Sequence, residues 1–325
     1  MRRTALFAML AAIGALLVGL PGRMAVAQEW PDKPVHIVVP FPPGIMDLTA
    51  RVIAQPLSEK FGKPFIIDNR PGAGGNIGTA AGAKAASDGY TIVLSSSGPL
   101  TNNRYLYQSM PYDSLRDLTP IIMIGEIPLV IAAHPNVKAN NLKELIALAH
   151  ARPGQITAGS PGTGTNSHLT IELFKKMSKT DMLHVPLKGA MATLTYVMAG
   201  NVDTAWALIP DYVKQIEAGK VKALAIATRK RIPLVSNVPT ALEQGIDIVS
   251  GAWFALMGPA GLPRPIVDKI NQEVNRYLSS AAGRDRFTKI GVQVEGGAPE
   301  IVTEKIKADL ALWKPVIDKL GLKPR

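Results

Sequence analysis

The segment Gly159-Ser160-Pro161-Gly162-Thr163-Gly164-Thr165-Asn166-Ser167-His168 gathers three glycines, four hydroxyls and an asparagine just ahead of a helical stretch. Glycine lets the backbone turn tightly and approach a ligand closely. The first N–H groups of a helix lack partners inside it, and the helix dipole favours an anion there. The chemistry on offer is therefore the holding of a carboxylate or phosphate. A capped helix start with flexible glycines accounts for the same residues equally well. The segment is not a P-loop, because Thr165 stands where the lysine must be.

A second loop has the same grammar. Pro40-Phe41-Pro42-Pro43-Gly44-Ile45-Met46-Asp47 follows an apolar strand and precedes a helix. Three prolines stiffen it, and Asp47 suits the N-cap of the helix beyond. A stiff loop can present donors without an ordering cost on binding. Taken alone, it is better explained as a connection that ends a strand. The densest glycine run, Asp68-Asn69-Arg70-Pro71-Gly72-Ala73-Gly74-Gly75-Asn76-Ile77-Gly78, misses the dinucleotide fingerprint, since Ile77 occupies the place of the third glycine.

Catalytic signals are poor. There is no G-x-S-x-G elbow. The histidines at 36, 134, 150, 168 and 184 are far apart, and none belongs to an H-E-x-x-H helix. Asp68, Asp203 and Asp211 have the look of capping or surface acids. No cysteine is present, which removes disulfides, thiolate metal sites and a cysteine nucleophile. No positioned acid, base, nucleophile or metal set stands out by pattern, so no enzyme activity, cofactor or metal is expected.

The elements that must position these loops fit a chain of 325 residues, 47% hydrophobic and 19% charged, long enough for two α/β lobes. The net charge is +11. Part of it belongs to an N-terminal pattern. Met1-Arg2-Arg3-Thr4 is basic, Ala5 to Leu20 is apolar, and Ala25-Val26-Ala27 has small-x-small cleavage chemistry. This is the anatomy of a secretory signal peptide, residues 1–27, cleaved after Ala27. Its removal takes Arg2, Arg3 and Arg23 and leaves +8. Aromatic residues at 6% are too sparse for stacking nucleic-acid bases, and the basic residues do not cluster, so no nucleic-acid partner is expected.

The rest alternates strand and helix. Strands are predicted over 35–39, 65–67, 90–94, 121–124, 129–133, 156–158, 182–185, 202–208 and 223–228. Helices are predicted over 48–61, 75–86, 142–151, 167–178, 191–199, 210–218, 265–279 and 299–320. This alternation predicts mainly parallel sheets. No segment after the signal is expected to span a bilayer, since the best candidate, Ile121 to Ala133, is broken by Glu126 and Pro128.

Seven motifs then occur in the order of a known family. They are Phe41-Pro42-Pro43-Gly44, the 68–78 run, Asp88-Gly89-Tyr90-Thr91, Pro111-Tyr112-Asp113, Gly164-Thr165-Asn166-Ser167-His168-Leu169, His184-Val185-Pro186-Leu187-Lys188-Gly189 and Asn237-Val238-Pro239-Thr240. The chain resembles the Bug proteins (Bordetella uptake gene products), the receptors of tripartite tricarboxylate transporters.

The resemblance implies a two-lobed α/β periplasmic binding protein of the Venus flytrap kind, with two crossovers between lobes. Residues 28–128 plus 251–325 would form one lobe and 129–250 the other. It implies a small carboxylate as ligand, membrane permease subunits as partners, a periplasmic location and a monomer. The ligand-binding positions it implies are Phe41, Pro43, Gly44, Ile45, Met46 and Asp47 on one side. On the other they are Ser160, Gly162, Thr163, Gly164, Thr165, Asn166 and His168, with Trp206 and Ala207. The chain departs from the family where Gly44 is followed directly by Ile45-Met46-Asp47, at Leu187 and at Trp206-Ala207. Each departure adds apolar surface or removes polarity. Apolar walls favour ligands with an apolar body. The expected ligand is thus a carboxylate with an apolar or aromatic remainder. A dicarboxylate or citrate-like acid is the alternative, as is use of the same site for sensing.

Overall fold

Strand-forming runs and amphipathic helices alternate along the chain as far as the second third, and the sheet they build is mixed. The computed structural model describes residues 30–321. The predicted signal peptide lies outside the described residues. The elements below all lie within residues 33–321.

The strands are β1 (Val35–Val39), β2 (Phe65–Asn69), β3 (Thr91–Ser96), β4 (Leu118–Ala133), β5 (Thr157–Ser160), β6 (Leu183–Pro186), β7 (Thr204–Leu208), β8 (Lys222–Ile226), β9 (Gly251–Pro259) and β10 (Gln293–Val294). The helices are α1 (Ile45–Phe61), α2 (Asn76–Ala83), α3 (Asn103–Leu106), α4 (Leu142–Ala151), α5 (Asn166–Ser178), α6 (Ala190–Met198), α7 (Val213–Glu217), α8 (Arg264–Ser279), α9 (Ala281–Lys289) and α10 (Glu300–Leu320).

The strand order is β2-β1-β3-β9-β4-β7-β5-β6, with β8 and β10 also paired to β4. Each wing is parallel, as β1 pairs with β2 and β3, and β5 with β6 and β7. The centre is antiparallel, because β9 pairs with β3 and β4, and β4 with β7, β8 and β10. The mainly parallel sheet expected from the sequence is therefore found only in the wings.

The reason is β4. Instead of the two predicted strands, 121–124 and 129–133, it is one strand of 16 residues. Its first part, from Leu118 to Pro128, runs beside β9; its last, Leu129 to Ala133, runs beside β7. Pro128 has no N–H to give, and it sits at this handover. The next N–H, of Leu129, bonds the Ser250 carbonyl at 3.1 Å. The chain returns at the same level, where Ser250 leads into β9. These are two crossovers between two lobes.

Each lobe has its own core. One collects Val38, Val93, Met123, Trp253, Met257 and Ile306. The other collects Ile131, Leu145, Ile156, Phe174, Trp206 and Leu224. A third cluster joins Leu106, Leu169 from α5, and Trp313, Val316 and Ile317 from α10, so the C-terminal helix braces elements of both lobes.

Helix α1 starts one turn before the expected position. Its N-cap is Gly44, without a side-chain cap bond. Asp47 therefore falls inside the first turn rather than at the cap. There it is buried and takes two bonds from Arg51, at 2.8 and 3.2 Å. Acid in the first turn and base one turn on complement the helix dipole. Helix α4 begins as its sequence indicates: the Asn141 side chain accepts from the Glu144 N–H at 2.8 Å.

Candidate ligand-binding site

The loop between β5 and α5 is built by its own side chains. Gly164 has φ 80°, a conformation that L side chains rarely adopt. A Cβ there would also lie 2.9 Å from Leu106 Cδ1. Thr165 is the N-cap of α5. Its hydroxyl accepts from the His168 N–H at 3.3 Å and donates to the Gly162 carbonyl at 2.8 Å. The Gly164 N–H donates to His168 Nδ1 at 3.0 Å. The loop is thus tied from behind, while α5 has the dipole of a helix of 13 residues.

The tie extends deeper. The His168 ring stacks on His184, with centroids 3.9 Å apart, and His184 Nε2 lies 2.7 Å from the Ser160 hydroxyl. Burial is the main cause that pushes His168 down to about 4, with Lys175 adding to it. Burial likewise pushes His184 down to about 3, helped by His168 and Lys175. Both rings are neutral at neutral pH. His168 Nδ1 then keeps a lone pair for the Gly164 N–H.

This loop forms one wall of a cavity of about 590 Å³. Thr163, Gly164, Thr165, Asn166 and Ser167 line it, facing Phe41 from the loop before α1. A third wall comes from the segment after β3, through Ser96, Ser97, Pro99, Asn103, Leu106 and Tyr107. Ala190 at the start of α6, Leu208 at the end of β7, Asp211 and Ala252 complete it. Among the described residues lining the cavity there is no Lys, Arg or His, and Asp211 is the one carboxylate. Partial burial raises the Asp211 carboxyl above its ordinary value. No metal-holding group of His, Cys, Asp and Glu occurs among the described residues.

Asn166 is at once wall and tie. Its amide nitrogen donates to Ser97 Oγ at 3.0 Å and to the Gly251 carbonyl at 2.5 Å. Its oxygen accepts from Asn102 at 2.5 Å. The side chain joins the start of α5 in one lobe to three points of the other.

The glycine run 68–78 acts through packing. The Asn69 amide donates to the Phe41 carbonyl at 3.0 Å. A Cβ on Gly78 would meet Pro40 Cα at 2.6 Å and the Arg70 carbonyl oxygen at 2.7 Å. Glycine there lets α2 press against the proline loop and fix Phe41 at the cavity.

Of the positions expected to bind ligand, Phe41, Thr163, Gly164, Thr165 and Asn166 meet at the cavity. Ser160 and His168 are buried behind the loop. Gly162 faces a separate depression with Pro186 and Leu187. Pro43 and Gly44 are exposed and Ile45 partly so; Met46 and Asp47 are buried at the start of α1. None of these five lines the cavity. Trp206 and Ala207 are fully buried. The Trp206 ring packs edge-on against Phe174 at 5.1 Å, and its N–H donates to Thr204 Oγ1 at 3.2 Å. Trp206 is a core residue because β7 is a central strand covered by α5, and the apolar character of the cavity comes from elsewhere.

The wall after β3 went unanticipated, although Ser95-Ser96-Ser97-Gly98 after an apolar run repeats the strand-loop-helix grammar of the other two loops. Asp211 carried no distinguishing signal in the sequence.

Residues 49–322 match the tripartite tricarboxylate transporter family receptor. The chain is 36% identical over 300 residues to protein BugT of Bordetella pertussis, covering 91% of this chain and 92% of BugT. Its fold is similar to that of an R. palustris protein solved with adipate, with a TM-score of 0.80 and 35% identity, covering 91% of this chain and all of that one. It is also similar to the periplasmic binding protein BugD, with a TM-score of 0.75 and 30% identity, covering 91% of this chain and all of BugD.

Proposed function

Because the chain belongs to the tripartite tricarboxylate transporter receptors, a family of binding proteins rather than enzymes, we propose that it captures a small carboxylate with an apolar or aromatic body for a membrane permease. The observation that carries this reading is the composition of the cavity. Phe41, Pro99, Leu106, Tyr107, Leu208 and Ala252 supply apolar wall, while the polar groups converge at the start of α5. A site of this kind orients a ligand by a few placed donors and holds it by apolar contact. The first N–H groups of α5 receive the carboxylate, presented by a loop that the Thr165 hydroxyl holds through Gly162 and His168. Lys and Arg elsewhere raise the local concentration of anions without touching the ligand.

The loop positions away from the cavity have supporting parts in this proposal. Ser160 and His168 hold the cradle, and Asp47 fixes the first turn of α1. Residues 28–128 with 251–325 act as one lobe and 129–250 as the other, which the partner change of β4 at Pro128 and Leu129 supports. Ligand binding draws them together by its differential affinity for the closed arrangement. The protein works as an exported monomer in the periplasm, after removal of residues 1–27. Delivery to a permease is favoured over sensing by the family match.

A thermal-shift screen tests the ligand class, since stabilisation follows RT ln(1 + [L]/Kd), about 2.7 kcal/mol at a hundred times Kd. Aromatic and longer-chain acids are expected to give larger shifts than malate or citrate at equal concentration. The reverse order would establish the polar di- or tricarboxylate alternative.

A further inference from the structure

The cavity holds an anion's cradle at one wall and an anion at another. Asp211 closes the short turn Ile209–Asp211, between β7 and α7. It caps neither that turn nor α7, since neither takes a side-chain cap bond. Its carboxylate makes no hydrogen bond or ion pair with the protein, although acids elsewhere in the chain pair readily, such as Asp47 with Arg51 and Asp113 with Arg104. The residue is exposed, and the partial shielding of its carboxyl by the surrounding walls raises it, with no cation to offset that. Its exposed carboxylate is the one charge on the cavity wall and is open to a ligand.

It does have a consequence for the ligand. A second carboxylate on the ligand would share the cavity with Asp211, and like charges at close range disfavour each other. A wholly apolar tail seated against Asp211 would take water from the carboxylate and give it no partner in return. A cationic nitrogen satisfies both conditions, because an N–H donor with charge gives the stronger, charge-assisted bond to a carboxylate.

We propose that Asp211 pairs with a protonated amine on the ligand, so that the cavity selects an amino-carboxylate whose two charged ends are separated by an apolar body. This rests on the carboxylate-binding reading above. The carboxylate lies at the start of α5, the body lies against Leu106, Tyr107 and Leu208, and the ammonium lies at Asp211.

Isothermal titration of the mature protein with matched ligands tests it. One set is 4-aminobutanoate, 6-aminohexanoate and 8-aminooctanoate. The others are the unsubstituted acids and the α,ω-dicarboxylates of similar length, with 4-(aminomethyl)benzoate, 4-ethylbenzoate and terephthalate as an aromatic trio. In the wild type, the best amino acid is expected to bind about ten-fold or more tightly than its plain and dicarboxylate counterparts. The Asp211→Asn protein should lose that preference, binding the amino acid no more tightly than the plain acid, and its circular dichroism spectrum and cooperative melting show that it is folded. If that variant fails to fold, Asp211→Ser takes its place, and the wild-type ranking is a test without any variant. A plain acid or dicarboxylate binding as tightly as the amino acid, or a preference that survives Asp211→Asn, overturns the pairing and leaves carboxylate capture standing. Failure of every ligand to bind overturns both.

Discussion

Replacing Thr165 by alanine separates the cradle's stability from its function. The hydroxyl makes two bonds, accepting from the His168 N–H and donating to the Gly162 carbonyl. Losing the first removes the cap of α5, at a cost of about 1 kcal/mol. Losing the second costs little more, since the Gly162 carbonyl still accepts from the Thr165 N–H at 3.3 Å and from the Ser160 hydroxyl at 3.2 Å. The total stays near 1 kcal/mol, a fall in Tm of about 2–4 °C for a protein of this size. Binding loses more in proportion. Thr165 lines the cavity and its two bonds hold the loop that presents the first N–H groups of α5, so a loop that loses them, and with them about one ligand hydrogen bond, raises Kd about five- to ten-fold. Thr165→Ser keeps the oxygen and should keep both properties. Differential scanning calorimetry and titration of the three proteins with one acid measure this. An alanine variant with unchanged Kd, or a serine variant as weak as alanine, would refute the assignment of this loop as the cradle. An unchanged Tm would refute its capping role.

Other consequences follow from the same geometry. Trp206→Ala should cost about 3–5 kcal/mol in urea unfolding, as expected of a large buried side chain, while the milder Trp206→Phe leaves the ranking of ligands unchanged; an altered ranking would put Trp206 back at the ligand. Asn166→Ala removes the partners of Ser97, Asn102 and the Gly251 carbonyl together and should destabilise the fold by about 2–3 kcal/mol, with a loss within ±0.5 kcal/mol showing that these bonds do not brace the lobes. His168 and His184 have folded values of about 4 and about 3, below the ordinary 6.5, so the unfolded chain binds protons first as pH falls. Their contribution is complete above pH 6.5 and declines as pH drops towards 4, by about 2–3 kcal/mol at the well-buried His168. Urea midpoints for His168→Asn/His184→Asn should fall less between pH 7 and 4.5 than those of the wild type; equal falls would show that the imidazoles are not the groups titrating.

What the sequence revealed depended on how local the signal was. The loop 159–168 carries its glycines, cap and hydroxyls within ten residues, and the family motifs around it are as local. Helix α4 was legible for the same reason, with cap, period and length in one window. Strand β4 was not, because Pro120 and Pro128 look like breaks until β9 and β7 are known to take over its pairing in turn. Strand β9 is an apolar run without period, Gly251 to Pro259, and such a run is as compatible with a buried helix. The side on which Trp206 is buried depends on α5 packing over β7, which no neighbouring residue announces. Asp211 resembles any turn acid until the cavity beside it is seen to hold no other charge. The early start of α1 had the same cause: Gly44 outranks Asp47 as the cap only once the chain's path from Phe41 is fixed by Asn69 and α2.

The central claim is that helix-start donors, not lysine or arginine, hold the ligand's carboxylate. A crystal structure of the protein with a bound acid tests it directly. The prediction is a carboxylate within hydrogen-bonding distance of the backbone N–H groups or hydroxyls of residues 163–167, with its body against Leu106 and Phe41. A carboxylate paired with a lysine or arginine, or a ligand seated outside this cavity, would contradict it.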